Sequence, residues 1–252
     1  MSRRGSSCTG RCRTSFRSCS SGTWTGRVPA ARRARRRTQP RRRLPSPEAT
    51  REALGRLTRG APTILGRGLV GSETARFSKY LDLLIKWNSK HRMIGSTDPT
   101  WLADHLLLDS LVFLHVIPPT VKCLVDIGSG AGLPGLPIKI VRPDIRMLLV
   151  ESRQRRASFL KAAVRELELV DVEILSERVL SVPSRWRKAF DVAVARCAGD
   201  VESTLKLGLG FVRAGGMVAV SGPPDPCGVK IGRYTVVQLA GGRTRSFVVD
   251  SA

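Results

Sequence analysis

Between Lys122 and Gly222 short apolar runs recur: KCLVDIG, RMLLVE, VDVEILS, FDVAVARC and GMVAVSG. Each reads as a buried strand, and amphipathic stretches lie between several of them, notably Gln154 to Leu167. Strands that alternate with helices make parallel pairs, because a parallel neighbour is reached only by a crossover. The expected core is therefore α/β, a mostly parallel, doubly wound sheet. Its end differs. YTVVQLA and RSFVVDS are joined by Gly241-Gly242-Arg243-Thr244, which reads as a terminal antiparallel hairpin.

The loop after the first strand carries the chemistry. Val125-Asp126-Ile127-Gly128-Ser129-Gly130-Ala131-Gly132-Leu133-Pro134-Gly135 leads from that strand into a helical stretch, where an open α/β sheet binds nucleotide-like ligands. Glycine lets the backbone turn tightly and come close to a ligand. Glu151 ends the second strand, 25 residues after Asp126, in position to accept hydrogen bonds from ribose hydroxyls. Gly130, Gly132 and Gly135 satisfy the dinucleotide pattern G-x-G-x-x-G, so NAD competes with S-adenosylmethionine for the loop. Three features favour S-adenosylmethionine. Asp126 would repel a pyrophosphate but tolerate an ammonium, the body is too short for a separate catalytic domain, and the terminal hairpin is wrong for the dinucleotide fold. A parallel sheet finished by an antiparallel hairpin is the layout of class I methyltransferases (Rossmann-like).

Upstream of the sheet, Phe77, Leu81, Leu84, Ile85 and Asn88 mark one helical face. Asp98-Pro99 caps a second helix through WLADHLLLDSLVFL. Its His105 and Asp109 stand four residues apart and read as a structural bond rather than a catalytic dyad. The expected organisation is a disordered Arg-rich tail over 1–50, an N-terminal helical part over 72–118 and the Rossmann-like core over 119–252, with 72–252 forming one domain.

Charge divides along the same lines. The chain has 43 Lys and Arg against 20 Asp and Glu, a net of +23. Fourteen of the positives, all arginine, fall in the first 47 residues, which contain no acid, so the remainder carries only +9. The tail reads as a disordered bacterial extension or an upstream start. Its Arg/Ser composition also fits an organelle transit peptide. No run reaches the ~18 apolar residues of a membrane span. The six cysteines include no C-x-x-C pair and lie away from the three histidines, which argues against zinc or a disulfide scaffold.

VDIGSGAGLPGLPIKIVRPD, with the strand ending ES and the helix RQRRASFLKAAVRELEL, resembles the RsmG (GidB) family of 16S ribosomal RNA guanine-N7 methyltransferases. YLDLLIKWNSK, HLLLDSL, FDVAVARCAG and AGGMVAVSG are similar to further family segments, so the likeness runs from Phe77 to the C-terminus. It implies methyl transfer from S-adenosylmethionine to N7 of a guanine in small-subunit ribosomal RNA, at the 530 loop, by a cytoplasmic monomer. The partner is that RNA or the 30S particle. Gly128, Gly130 and Leu133 match the family's cofactor loop, with Glu151 at the strand end. Val179 and Leu180 match the pair against the adenine, and Arg196 matches the arginine closing the fourth strand. Arg155, Arg156 and Arg178 fall where the family keeps basic residues, here expected to meet RNA. The chain departs from the pattern at Leu180, where the family has Glu, at Ser221, where it has Lys, and at Arg92-Met93-Ile94, where it has Asn-Leu-Thr.

Guanine N7 already presents a lone pair, so its methylation needs in-line positioning and no general base. No catalytic side chain or metal is expected. Arg196 ends an apolar strand, where an unpaired charge is costly, so a ligand or partner is expected for it. The alternatives are a diverged methyltransferase acting on another substrate and an RNA-binding module with a vestigial pocket.

Overall fold

A computed structural model describes residues 45–196, 200–221, 232–238 and 244–252. The tail before residue 45, Cys197, Gly222, Cys227 and the turn residues Gly241 to Arg243 lie outside the described residues.

Seven strands form one sheet in the order β3-β2-β1-β4-β5-β7-β6: β1 Cys123–Ile127, β2 Arg146–Val150, β3 Val172–Leu175, β4 Phe190–Ala195, β5 Val212–Ser221, β6 Arg233–Gln238 and β7 Thr244–Ser251. The first five pair in parallel, and β7 runs antiparallel to both β5 and β6. This is the class I methyltransferase layout expected from the sequence. The chain winds outward from β1 through β2 to β3, then returns to the other side of β1 as β4. The gap between β1 and β4 is thus the switch point at which such sheets bind ligands.

Both faces of the strands are apolar because both are covered. Leu124, Met147, Leu149, Val192 and Val194 point into one core, and Val125, Ile127, Leu148, Val150, Ala193 and Ala195 into the other. The first core is roofed by helices α5 Gly135–Val141 and α6 Gln154–Glu166 and by an N-terminal helical layer; the second is roofed by α7 Val201–Phe211 and the turn at Trp186.

That helical layer starts before Ser72, earlier than the sequence pattern implies. Helix α1 spans Pro47–Leu65, with the Ser46 side chain accepting from Ala49 N and proline in its first turn. Ala53, Leu57, Ala61 and Ile64 are buried, a helical stripe within an Arg-rich segment. Arg56 of α1 pairs with Asp104 at 2.9 Å. Helix α2 spans Gly71–His91 and buries the face named from the sequence, Asn88 included.

The segment after Asp98 departs from a regular helix. Helices α3 Pro99–Leu102 and α4 Leu108–Leu111 are separated by a π-helical stretch, Ala103–Leu107. A π turn closes on the fifth residue instead of the fourth, so across this stretch His105 and Asp109 do not share one face. The expected His105–Asp109 bond is accordingly replaced. His105 stacks on Trp101 with ring centroids 4.9 Å apart and its Nδ1 lies 3.2 Å from Trp101 O. Asp109 turns to Arg196 and Arg245. Among the described residues no helix is long and apolar enough to cross a membrane.

Candidate cofactor site

The glycine loop is held by its own backbone. Gly128 N and Ser129 N both donate to Val150 O at the end of β2, at 2.9 and 3.0 Å, and Gly132 N and Leu133 N both donate to Ser129 O. Gly128, Gly130 and Gly132 all adopt positive φ. The requirement is strongest at Gly132, where φ is +87° and an added Cβ would stand 2.4 Å from Leu136 and 3.2 Å from Leu160. Only glycine satisfies both constraints at that position. The helical layer holds the loop from outside: the buried Tyr80 hydroxyl donates to Ala131 O at 2.6 Å. Burial also pushes the Tyr80 phenol well above its ordinary pKa, so it remains a donor.

Two carboxylates brace the same loop. Asp126 is fully buried, and its Oδ2 accepts from Gly135 N at 2.9 Å while Oδ1 has no partner. Burial raises its pKa to about 7, against the lowering effect of the Gly135 bond. Glu151 accepts from Gly130 N at 2.9 Å and from Arg153 N at 2.7 Å, with Arg156 at 3.9 Å. Each Glu151 oxygen keeps a second acceptor position.

Beside the loop, at the carboxyl ends of β1 and β2, lies a cleft of about 390 Å³. One wall is Ile127, Gly128, Val150 and Ser152; the other is Glu177, Arg178, Val179 and Leu180, with Asp200, Ser203, Thr204 and Leu207 from the start of α7. The charged lining, Glu177 and Asp200 against Arg178, is on balance acidic. That suits a ligand with an ammonium and a sulfonium, and it opposes a pyrophosphate. Bare backbone at Gly128 and apolar Val179 and Leu180 complete a lining that fits S-adenosylmethionine.

The sequence-named residues distribute unevenly. Gly128, Arg178, Val179 and Leu180 line the cleft. Gly130, Leu133 and Glu151 do not line the cleft; they belong to the loop that flanks it and to the bracing of that loop. Leu180, 81 % exposed, presents an apolar side chain to solvent at the cleft rim. Arg155 is exposed on the first turn of α6, and Arg156 reaches Met93 O at 3.1 Å, tying α6 to the segment that follows α2. Arg196 has a partner within the protein. It pairs with Asp109 at 3.1 Å and donates to His105 O at 2.8 Å, linking β4 to the helical layer. Sequence pattern did not single out Ser152, Glu177 or the α7 residues. Asp200 carries a readable signal there, as the N-cap that accepts from Ser203 N at 2.8 Å.

Comparison with known proteins places this architecture. Residues 73–222, more than half of the chain, match the family model described as GidB: rRNA small subunit methyltransferase G. The chain is 36 % identical over 182 residues to the ribosomal RNA small subunit methyltransferase G of Moorella thermoacetica, covering 70 % of this chain and 75 % of that protein. It is 34 % identical over 167 residues to the protein of the same description from Desulfitobacterium hafniense, covering 66 % and 68 %. Among solved structures, a putative S-adenosyl-L-methionine-dependent methyltransferase from Methanococcus maripaludis aligns at 14 % identity and a TM-score of 0.47, covering 69 % of this chain and 92 % of that one. With its glycine loop, its switch-point cleft and the match across both, the chain belongs to the GidB, or rRNA small subunit methyltransferase G, family.

Proposed function

We propose that the protein transfers a methyl group from S-adenosylmethionine to N7 of a guanine in 16S ribosomal RNA, in the 530 loop, as a cytoplasmic monomer acting on the RNA or the 30S particle. The observation that carries this reading is the switch-point cleft. A backbone-braced glycine loop forms one wall and an acidic, apolar lining the other, in a chain of this family.

When bound, S-adenosylmethionine supplies an activated methyl group on a sulfonium, so the protein has no leaving group to prepare. The chain's residues bind and orient. Gly128 and Gly130 offer bare backbone to the cofactor, Glu151 offers its free acceptor positions to ribose hydroxyls, and Val179 with Leu180 covers the adenine. Leu133, buried behind the loop, fixes the shape that Gly128 and Gly130 require. Arg196 acts as a positioning residue: its ion pair with Asp109 sets the end of β4 at the mouth of the switch point. In this reading Arg155 and Arg178, both exposed, meet RNA phosphates, while Arg156 is occupied in part by Met93 O. No side chain is asked to remove a proton, because guanine N7 carries none.

The test is transfer of labelled methyl from S-adenosylmethionine by the purified full-length chain. Small-subunit particles, naked 16S RNA and free guanine nucleotides are offered separately. The reading expects label in the RNA as N7-methylguanine and none in free nucleotides. Label in protein or in small molecules alone would refute it.

A further inference from the structure

The cleft is not the only built groove. Helices α2 and α6 pack antiparallel: Arg76 Nε donates to Leu167 O near one end, Trp87 meets Phe159 edge-on at 5.6 Å in the middle, and Arg156 reaches Met93 O at the other. Between them on the outer surface lies a second groove of about 400 Å³, rimmed by Lys86, Lys90 and His91 from α2 and by Arg165 and Glu166 from α6. Trp87 forms its floor, held by Phe159 beneath and by His91 at 5.4 Å beside it.

The charge here is one-sided. The two helices carry eight Lys and Arg against three acids, and one of those acids, Glu73, is buried in a bidentate pair with Arg67. Of the rim cations, Arg165 pairs with the neighbouring Glu166, whereas Lys86 and Lys90 make no ion pair among the described residues. Asp82 lies one turn before Lys86 on α2. Two exposed lysines, one turn apart beside Trp87 and without an ion pair among the described residues, make a rim whose chemistry suits phosphate. The antiparallel packing also orients the groove. Moving from Ala162 back along α6 toward Arg155 and Arg153 leads to Glu151 and the glycine loop, a rise of about 10 Å or one to two nucleotide steps.

We infer that the α2–α6 groove is a docking site for the RNA phosphate backbone, in which Lys86 and Lys90 hold phosphates that flank the target and lead the strand to the cofactor cleft. The inference rests on the reading of the protein as an RNA methyltransferase and adds the path by which RNA reaches the site. RNA is the occupant that matches the observations, because the groove is cationic on balance and α6 runs from it to Arg155 and, through Arg153, to Glu151 beside the glycine loop. A flat anionic lipid surface would not need a groove.

The experiment uses the full-length chain with Lys86→Glu/Lys90→Glu and, as a charge-keeping control, Lys86→Arg/Lys90→Arg. RNA binding is measured as a function of salt, methyl transfer as KM and kcat, and S-adenosylmethionine binding by calorimetry. Loss of two phosphate contacts should weaken RNA binding at least about tenfold near physiological salt and lower the slope of log K against log salt by about 1.4. KM for RNA rises correspondingly, kcat at saturation and cofactor affinity stay at the wild-type level, and the arginine control behaves as wild type. Unchanged RNA affinity and salt slope in the glutamate variant would overturn the inference. So would loss of binding to phosphatidylserine vesicles with RNA binding intact. If instead wild-type protein binds RNA through these lysines and transfers nothing to it, the methyltransferase reading fails and the groove stands.

Discussion

The two walls of the cofactor cleft are built on opposite principles. The glycine-loop wall is fixed from every side, by Val150 O, by Ser129 O, by the carboxylates of Asp126 and Glu151 and by the Tyr80 hydroxyl. The facing wall at 177–180 follows β3 and presents Glu177, Arg178 and Leu180 to solvent. One wall stores its shape in the apoprotein; the other contributes side chains whose packing a ligand must complete. Substitutions in the first should therefore register as changed stability, and substitutions in the second as altered affinity with little change in folding.

Gly132→Ala attacks the rigid wall at its tightest point and should have the largest effect. A left-handed alanine and a Cβ 2.4 Å from Leu136 together cost about 4 kcal/mol, read as a lower denaturant midpoint at unchanged m-value. Cofactor binding should be lost with it. An alanine variant of near wild-type stability would show that the loop is less constrained than its contacts imply.

Asp126→Asn comes next, and its effect depends on pH. The Asp126 carboxyl titrates near 7 in the folded chain, against an ordinary value of about 3.9 when unfolded. The folded state therefore holds the proton longer. Its contribution to stability is complete below about pH 4 and is lost as pH rises through 7. Asparagine mimics the protonated form at all pH values. The variant should match wild type near pH 4 and exceed it by on the order of 4 kcal/mol at pH 8 in chemical unfolding. Parallel pH profiles for the two proteins would rule this out.

Tyr80→Phe removes one buried bond from outside the loop. It leaves Ala131 O without its donor and should cost about 1–2 kcal/mol, with a modest loss of cofactor affinity. Leu180→Glu, on the facing wall, should be the mildest for folding, within about 0.5 kcal/mol of wild type because the side chain is 81 % exposed. It restores the acidic residue usual in the family and should tighten S-adenosylmethionine binding a few-fold in calorimetry. If Leu180→Glu destabilises as much as Tyr80→Phe, the contrast between the walls is wrong.

What could be read from the sequence follows the same division. The glycine loop was legible because backbone geometry restricts residue type there, and the strands were legible because burial on both faces leaves uninterrupted apolar runs. Helix α1 was hidden by composition. Its stripe at Ala53, Leu57, Ala61 and Ile64 and its Ser46-Pro47 start are regular signals, but they sit in a segment that reads as an extension of the Arg-rich tail. The π stretch at Ala103–Leu107 has no residue signature, so the His105–Asp109 pairing followed from a period that the backbone does not keep. Arg196 illustrates a different gap. Its need for a partner was evident from one strand, but the partner, Asp109, lies 87 residues earlier and is brought to it only by the fold.

The most direct test of the functional account is the position of N7-methylguanine in 16S ribosomal RNA from cells with and without this gene, mapped by cleavage at the modified base. The account expects one cleavage site in the 530 loop that disappears with the gene and returns when the wild-type chain is supplied, but not when the Gly132→Ala chain is supplied. Identical maps from the two strains, with the modified guanine present or absent in both, would contradict it.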